Sequence, residues 1–205
     1  MKGIQLGLSV VLLAGLAVAC QADPEPDSVA QLLSRMEARA AQLESYEVIV
    51  EDEPDGKTHQ FKLSFKQPNL VRLDAAEGQV TVQPNGQIRG RRGRGMFGKI
   101  SVRLRRDDPR LLNTQGIPFW DSFFAATIAR IQSQIKAGAA ATLTVAPEAF
   151  KLELRSSQCV WTYLIDPVTL FFRETIRATP GTRAEVTRYR AFHPNVPLEP
   201  RRFEF

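Results

Sequence analysis

From Gln158 to Phe205 the chain alternates β-rich runs with proline-bearing turns, a rhythm that only an antiparallel meander accommodates. Cys159 to Ile165 (CVWTYLI) is followed by the turn residues Asp166 to Thr169 (DPVT). Leu170 to Arg177 (LFFRETIR) is followed by Pro180 to Arg183 (PGTR), and Ala184 to Phe192 (AEVTRYRAF) completes the set. Each run is rich in β-branched and aromatic residues, and each break holds a proline that cannot donate to a ladder. The chain then closes with His193 to Pro200 (HPNVPLEP) and a short apolar segment ending in Phe203-Glu204-Phe205.

The same period of two appears earlier. Tyr46, Val48 and Val50 alternate with Glu47, Ile49 and Glu51, a turn at Pro54 to Lys57 reverses the chain, and Phe61, Leu63 and Phe65 alternate with polar residues. This reads as a hairpin with one apolar face. Pro68 ends that strand and Leu70 to Leu73 begins another. Further strands are expected at Gln79 to Gln83, from Ile88 onward, at Ile100 to Leu104, at Thr142 to Val145 and at Phe150 to Leu154.

Two stretches carry helical spacing instead. Val29, Leu32, Leu33, Met36, Ala40 and Leu43 form one stripe behind the cap Ser28, opposite Arg35, Glu37, Arg39 and Gln42. In the second, Pro118 stands at the expected first helical position, and Phe119, Trp120, Phe123, Phe124, Thr127, Ile128, Ile131 and Ile135 share a broad face. No linker is long enough to split residues 28–205, so they are expected to form one domain, and 205 residues with 43% hydrophobic content suffice for its core.

The first nineteen residues look like an export signal. Lys2 supplies the positive start, Ile4 to Ala19 is an apolar run of sixteen residues, shorter than the ~20 of a bilayer span, and Ala17-Val18-Ala19 is a small-residue cleavage site. Leu16 to Cys20 (LAVAC) has the form of a bacterial lipobox, with Ala17 where Leu is preferred. Acylation of Cys20 would anchor the protein to a membrane, since each buried CH₂ contributes ~0.8 kcal/mol and two chains suffice. Ordinary cleavage would instead leave Cys20 as a free thiol or a partner for Cys159. Gln21 after the Cys, where Asp would retain a lipoprotein at the inner membrane, points to the outer membrane. Residues 20–27 continue as an acidic, proline-rich tether.

A net charge of +5 is spread over the chain, with one concentration. Arg89, Arg91, Arg92 and Arg94 are interspersed with glycine, and no acid follows until Asp107. In an exported chain such a run suits an anionic headgroup better than nucleic acid, because guanidinium pairs bidentately with phosphate. A solvated, glycine-loosened loop is the alternative. Enzyme signatures are poor: the chain has no G-x-S-x-G, H-E-x-x-H, C-x-x-C or P-loop, and His59 and His193 lack a spacing that suggests a base or a metal pair. No catalytic residue, metal or cofactor is expected.

The order of parts from Tyr163 to Phe205, with Asn195 at a bend and a Phe-x-Phe ending, resembles the C-terminal half of the LolA/LolB-like lipoprotein carriers of the bacterial envelope. The stretch from Phe61 to Arg72 is similar to a second marker of that family, except that Gln67 stands where the carriers have a basic residue that latches a helical lid. The resemblance implies an α+β fold, a strongly curved antiparallel sheet forming an incomplete barrel with helices on its concave side and a final Phe-x-Phe strand. It implies an apolar cavity for a lipid or the acyl chains of a lipoprotein, lined by Phe61, Leu63, Phe65, Trp120, Phe123, Phe124, Ile128, Trp161 and Tyr163. With Cys20 acylated the protein would resemble the membrane-bound receptor more than the diffusing carrier, and is expected to be a monomer. The alternative is a structural lipoprotein with a filled core that docks to an anionic surface through its basic hairpin.

Overall fold

The computed structural model describes residues 25–53, 58–92, 100–113 and 115–205. The export signal, Cys20, the turn at Pro54 to Lys57 and Arg94 lie outside the described residues. Eleven strands among the described residues form one antiparallel sheet that is not closed into a barrel.

The strands are β1 (Ser45–Asp52), β2 (His59–Lys66), β3 (Leu70–Ala75), β4 (Gly78–Val82), β5 (Ile88–Arg92), β6 (Ser101–Leu104), β7 (Ala140–Ala146), β8 (Ala149–Arg155), β9 (Val160–Ile165), β10 (Phe172–Ala178) and β11 (Glu185–Pro194). Their spatial order, β6-β5-β4-β3-β2-β1-β11-β10-β9-β8-β7, follows from two meanders joined where β1 pairs with β11. The first meander runs outward from β1 to the edge strand β6. The chain then crosses the sheet, enters at the opposite edge as β7 and works back to β11. Every strand pairing is local except this joint, where Glu51 opposes Arg188 and Asp52 opposes Thr187.

Alternation sets the two faces. Tyr46, Val48 and Val50 of β1, Leu63 of β2, Phe150, Leu152 and Leu154 of β8, and Trp161, Tyr163 and Ile165 of β9 are buried on the inner side. Tight turns hold the C-terminal meander. The Asp166 carboxylate accepts the backbone N–H of Val168 and of Thr169 and pairs with Arg173, which fixes the bend between β9 and β10. Asn195 adopts φ 52 and accepts the Glu44 N–H, so it ties the end of β11 to the start of β1.

Helix α1 (Val29–Ala41) is capped by Ser28, whose hydroxyl accepts from the Gln31 N–H at 3.2 Å, and it buries Leu32, Leu33 and Met36. Burial of each such side chain contributes ~1.5–3 kcal/mol. Helix α2 (Phe124–Lys136) buries Phe124, Thr127, Ile128 and Ile131. The helices pack on one another and on the β7–β8 side of the sheet, with Gln132 donating to Glu37 across the pair. The Gln67 side-chain amide donates to the Leu43 carbonyl just beyond α1 at 3.0 Å, an uncharged tie between the β2–β3 turn and the end of the helix.

Two expectations are corrected. Pro118 is extended rather than helical, a 3₁₀ turn occupies Phe119–Asp121, and α2 proper begins at Phe124, whose N–H donates to the buried Tyr46 hydroxyl at 3.0 Å. No side chain of the preceding residues caps this helix, so a distant tyrosine satisfies the orphan donor. The Phe-x-Phe ending is not a strand: Pro200–Phe203 is a 3₁₀ turn lying on the outer face of β1–β5. Pro200 has no N–H to give a ladder, and the tail lies across the face of the sheet, not along its edge strands β6 and β7.

Candidate ligand cavity

Among the described residues the helices contact chiefly the β7–β8 side, and the irregular crossing segment between β6 and α2 lies over the inner face of β3 and its neighbours. Space remains beneath it. A cavity of about 210 Å³ lies between Val50, Phe61, Leu63, Leu73 and Val80 of the sheet and Leu111, Leu112 and Phe119 of the crossing segment. A second compartment of about 440 Å³ shares Leu73, Val80 and Leu111 with it and extends to Val102 and Leu104 at the edge strand. The first compartment alone is below the ~300–1,000 Å³ of most ligand sites, and the second falls within that range.

Glycine deepens the floor of the larger compartment. Gly90 faces inward opposite Val80 and Val102, and a Cβ there would stand 2.8 Å from Leu104 Cδ1. At Gly78 a Cβ would meet the Arg91 carbonyl oxygen at 2.6 Å, so no larger residue fits without backbone movement. Leu112 and Val102, both lining residues, are 43% and 52% exposed, so the apolar lining runs out to solvent at this mouth.

One end of the smaller compartment is polar. Asp52, His59, Asn113, Ser122, Thr187 and Tyr189 line it. Asp52 is only 5% exposed, and the Thr187 hydroxyl donates to its Oδ1 at 2.6 Å. Burial pushes the Asp52 carboxyl above the usual carboxylate range, although the Thr187 hydrogen bond and nearby His59 act the other way. Thr187 is paired in register with Thr175, whose hydroxyl and carbonyl receive the Gln115 side-chain amide. Burial also raises the Tyr189 phenol to about 12. A polar belt thus crosses an otherwise apolar inner face.

A stability prediction follows from the sign of that shift. A carboxyl that is harder to ionise in the folded state lowers stability as pH rises from the ordinary Asp range, near ~4, through its raised folded value. Asp52→Asn keeps an acceptor for Thr187 and removes the charge. It is expected to raise the thermal midpoint of the ligand-free protein at pH ~7, with the gain vanishing below pH ~4. Equal midpoints for both forms at neutral pH would contradict the buried-charge account.

The expected lining residues divide among three places. Phe61 and Leu63 line the cavity. Phe65, Phe123, Phe124 and Ile128 instead line a separate recess of about 470 Å³ by Leu43, Tyr46 and Pro68, between α1 and the start of α2. Trp120 is half-buried beside Phe119 with the Arg106 guanidinium over its ring, while Trp161 and Tyr163 are stacked in the closed core at 5.9 Å. The division has a simple cause: both helices pack on the β7–β8 side of the sheet. Sequence reasoning missed Leu73, Val80, Leu111, Asp52 and Thr187. The strand alternation around Leu73 and Val80 is a usable signal, but Leu111 sits in an irregular segment with no period to read.

The basic hairpin is also rearranged by alternation. Arg89 and Arg91 lie on β5 and point to the outer face, where Arg91 donates to Gln79 at 2.8 Å and sits 5.3 Å from the Phe205 ring centre. Arg92 points to the opposite face and borders the larger compartment. These three arginines therefore form no single patch. Among the described residues no group of three His, Cys, Asp or Glu side chains could hold a metal ion, and no helix is long and apolar enough to cross a membrane.

No known protein-family profile matches this sequence, and no curated protein matches it. Solved structures do. An uncharacterized conserved protein from Thermus thermophilus superimposes with a TM-score of 0.54 at 10% identity, covering 86% of this chain and 92% of that one. MucB superimposes with a TM-score of 0.53 at 12% identity, covering 88% of this chain but 64% of MucB, just under two thirds of its length. A LolA superfamily protein, NE2245 from Nitrosomonas europaea, matches over 86% of this chain and 97% of that one at 10% identity, but its TM-score of 0.30 is too low to build on. At these identities the likeness is one of fold, and the fold is LolA-like, with the open eleven-stranded sheet wrapped on two helices.

Proposed function

We propose that this protein binds the acyl chain of a lipid or of a lipidated client in the cavity beneath the crossing segment, as a lipid- or lipoprotein-binding protein of the bacterial envelope. The observation that carries the reading is the pair of adjoining apolar spaces that share Leu73, Val80 and Leu111 as walls, with Val50 and Phe61 lining the inner one and Val102 and Leu104 the outer one. Interiors normally pack to crystal-like density, so walls of this length facing empty space are suited to an apolar guest.

Binding to the folded state alone stabilises it. A short-chain phospholipid at a hundredfold excess over its dissociation constant is expected to add roughly 2.7 kcal/mol to unfolding. Val80→Trp, which inserts an indole between the two compartments, should abolish that gain while the ligand-free protein stays folded. A brominated acyl chain should quench Trp120, which touches the cavity wall through Phe119. Neither shift nor quenching in the parent protein would overturn the reading.

The export signal and lipobox support a membrane-anchored form facing the periplasm, at the outer membrane because of Gln21. Cys20→Ser is expected to move the protein from the membrane to the soluble fraction, because two or more acyl chains are lost at once. Unchanged membrane association would remove the anchor from the proposal.

A further inference from the structure

The cavity has a polar end whose chemistry is one-sided. Asp52 is nearly fully buried, only Oδ1 receives a hydrogen bond, from Thr187, and Oδ2 accepts none from the described residues. Among the described residues no Arg or Lys forms an ion pair with Asp52. The basic residues of the neighbouring strand are turned away: Arg188 pairs with Glu53 and Glu174, and Arg190 with Glu51. A carboxylate held largely out of water without an Arg or Lys partner is costly. Asp52 lines the apolar compartment together with Asn113, and His59 stands opposite it in the β1–β2 register.

We propose that the cavity selects an amphiphile whose polar head donates hydrogen bonds and carries positive charge, an amine on an aliphatic chain, with Asp52 as the group that receives it. The proposal rests on the acyl-cavity reading and adds the class of head group. An ammonium brings both the counter-charge and the donors that Oδ2 lacks, whereas a carboxylate or phosphate head would meet Asp52 as a like charge in a poorly solvated pocket. Thr187 holds the carboxylate's orientation through the 2.6 Å bond, so the free oxygen is not spent on a second internal partner.

The test uses dodecylamine, dodecanol and dodecanoate below their micelle concentrations, titrated into the full chain with displacement of a brominated acyl probe as the readout. The parent protein is expected to bind the amine at least about tenfold tighter than the carboxylate, which corresponds to ~1.4 kcal/mol. Asp52→Asn should lose the preference, Asp52→Glu should keep it, and Val80→Trp should bind none of the three. If no chain binds the parent, the cavity reading falls and the proposal with it. Should all three bind the parent alike, or should the preference survive in Asp52→Asn, the head-group proposal fails while the cavity reading stands.

Discussion

Phe203→Ala is expected to destabilise the protein by about 3–5 kcal/mol, the range for emptying a large buried aromatic site. Phe203 has no exposed surface, and with Leu70, Leu198 and Val196 it forms a second apolar cluster on the outer face of the sheet, separate from the main core. The tail is bolted down on either side of it. Thr81 donates to the Phe203 carbonyl at 3.1 Å, Arg72 to the Arg202 carbonyl at 2.6 Å and Lys66 to the Leu198 carbonyl at 2.6 Å. Phe205 lies between the Arg72 and Arg91 guanidinium groups at 5.4 and 5.3 Å. Removing the phenyl ring therefore leaves a void under a segment whose remaining contacts depend on its position. A drop of the thermal midpoint on the order of 10 °C is expected for a chain of this size. Urea unfolding measures the free energy directly, and a loss below ~1 kcal/mol would show that the tail is not part of the cooperative structure.

A comparable loss, about 3–5 kcal/mol, is expected for Phe124→Ala, but with ligand-induced stabilisation retained. Phe124 is 2% exposed, and its ring centre lies 4.9 Å from that of Phe171 and 5.5 Å from that of Phe172. The substitution empties the junction of α2 with the C-terminal meander, where Phe171 also stacks on Phe192 at 3.9 Å. The walls of the proposed lipid site are different residues, Val50, Leu73, Val80 and Leu111 among them, so a chain bound there should still raise the midpoint of the weakened variant. Stabilisation lost in Phe124→Ala and kept in Val80→Trp would move the ligand into the recess between α1 and α2, which Phe124 does line.

Much of this architecture follows from local pattern. The alternation of Tyr46, Val48 and Val50, the proline turns after Ile165 and Arg177, and the Ser28-capped stripe of Leu32, Leu33 and Met36 each specify an element within a few residues, because period and turn chemistry act over that distance. Asn195 is also legible as a bend, since its short amide tolerates the left-handed backbone it adopts. The curved, open sheet is in turn foreseen through the likeness of that order of parts to a known fold.

Which side of the sheet the helices would cover was decided only by tertiary packing. Trp120, Trp161 and Tyr163 are as apolar or aromatic in the sequence as Leu73 and Val80, and nothing in the spacing says that α1 and α2 settle on the β7–β8 side and that an irregular segment lies over β3 and its neighbours. The fate of the arginines depended on the same kind of information: an Arg-Gly run reads as a loop until β4 and β6 pair with it and send Arg89 and Arg91 to one face and Arg92 to the other. Asp52 is the clearest case. In the sequence it is one acid among Glu51, Glu53 and the turn that follows. Alternation alone would put it on the face of Tyr46, Val48 and Val50, but only the long-range pairing of β1 with β11, which brings Thr187 opposite it from 135 residues away, gives it a partner and a place beside an apolar cavity.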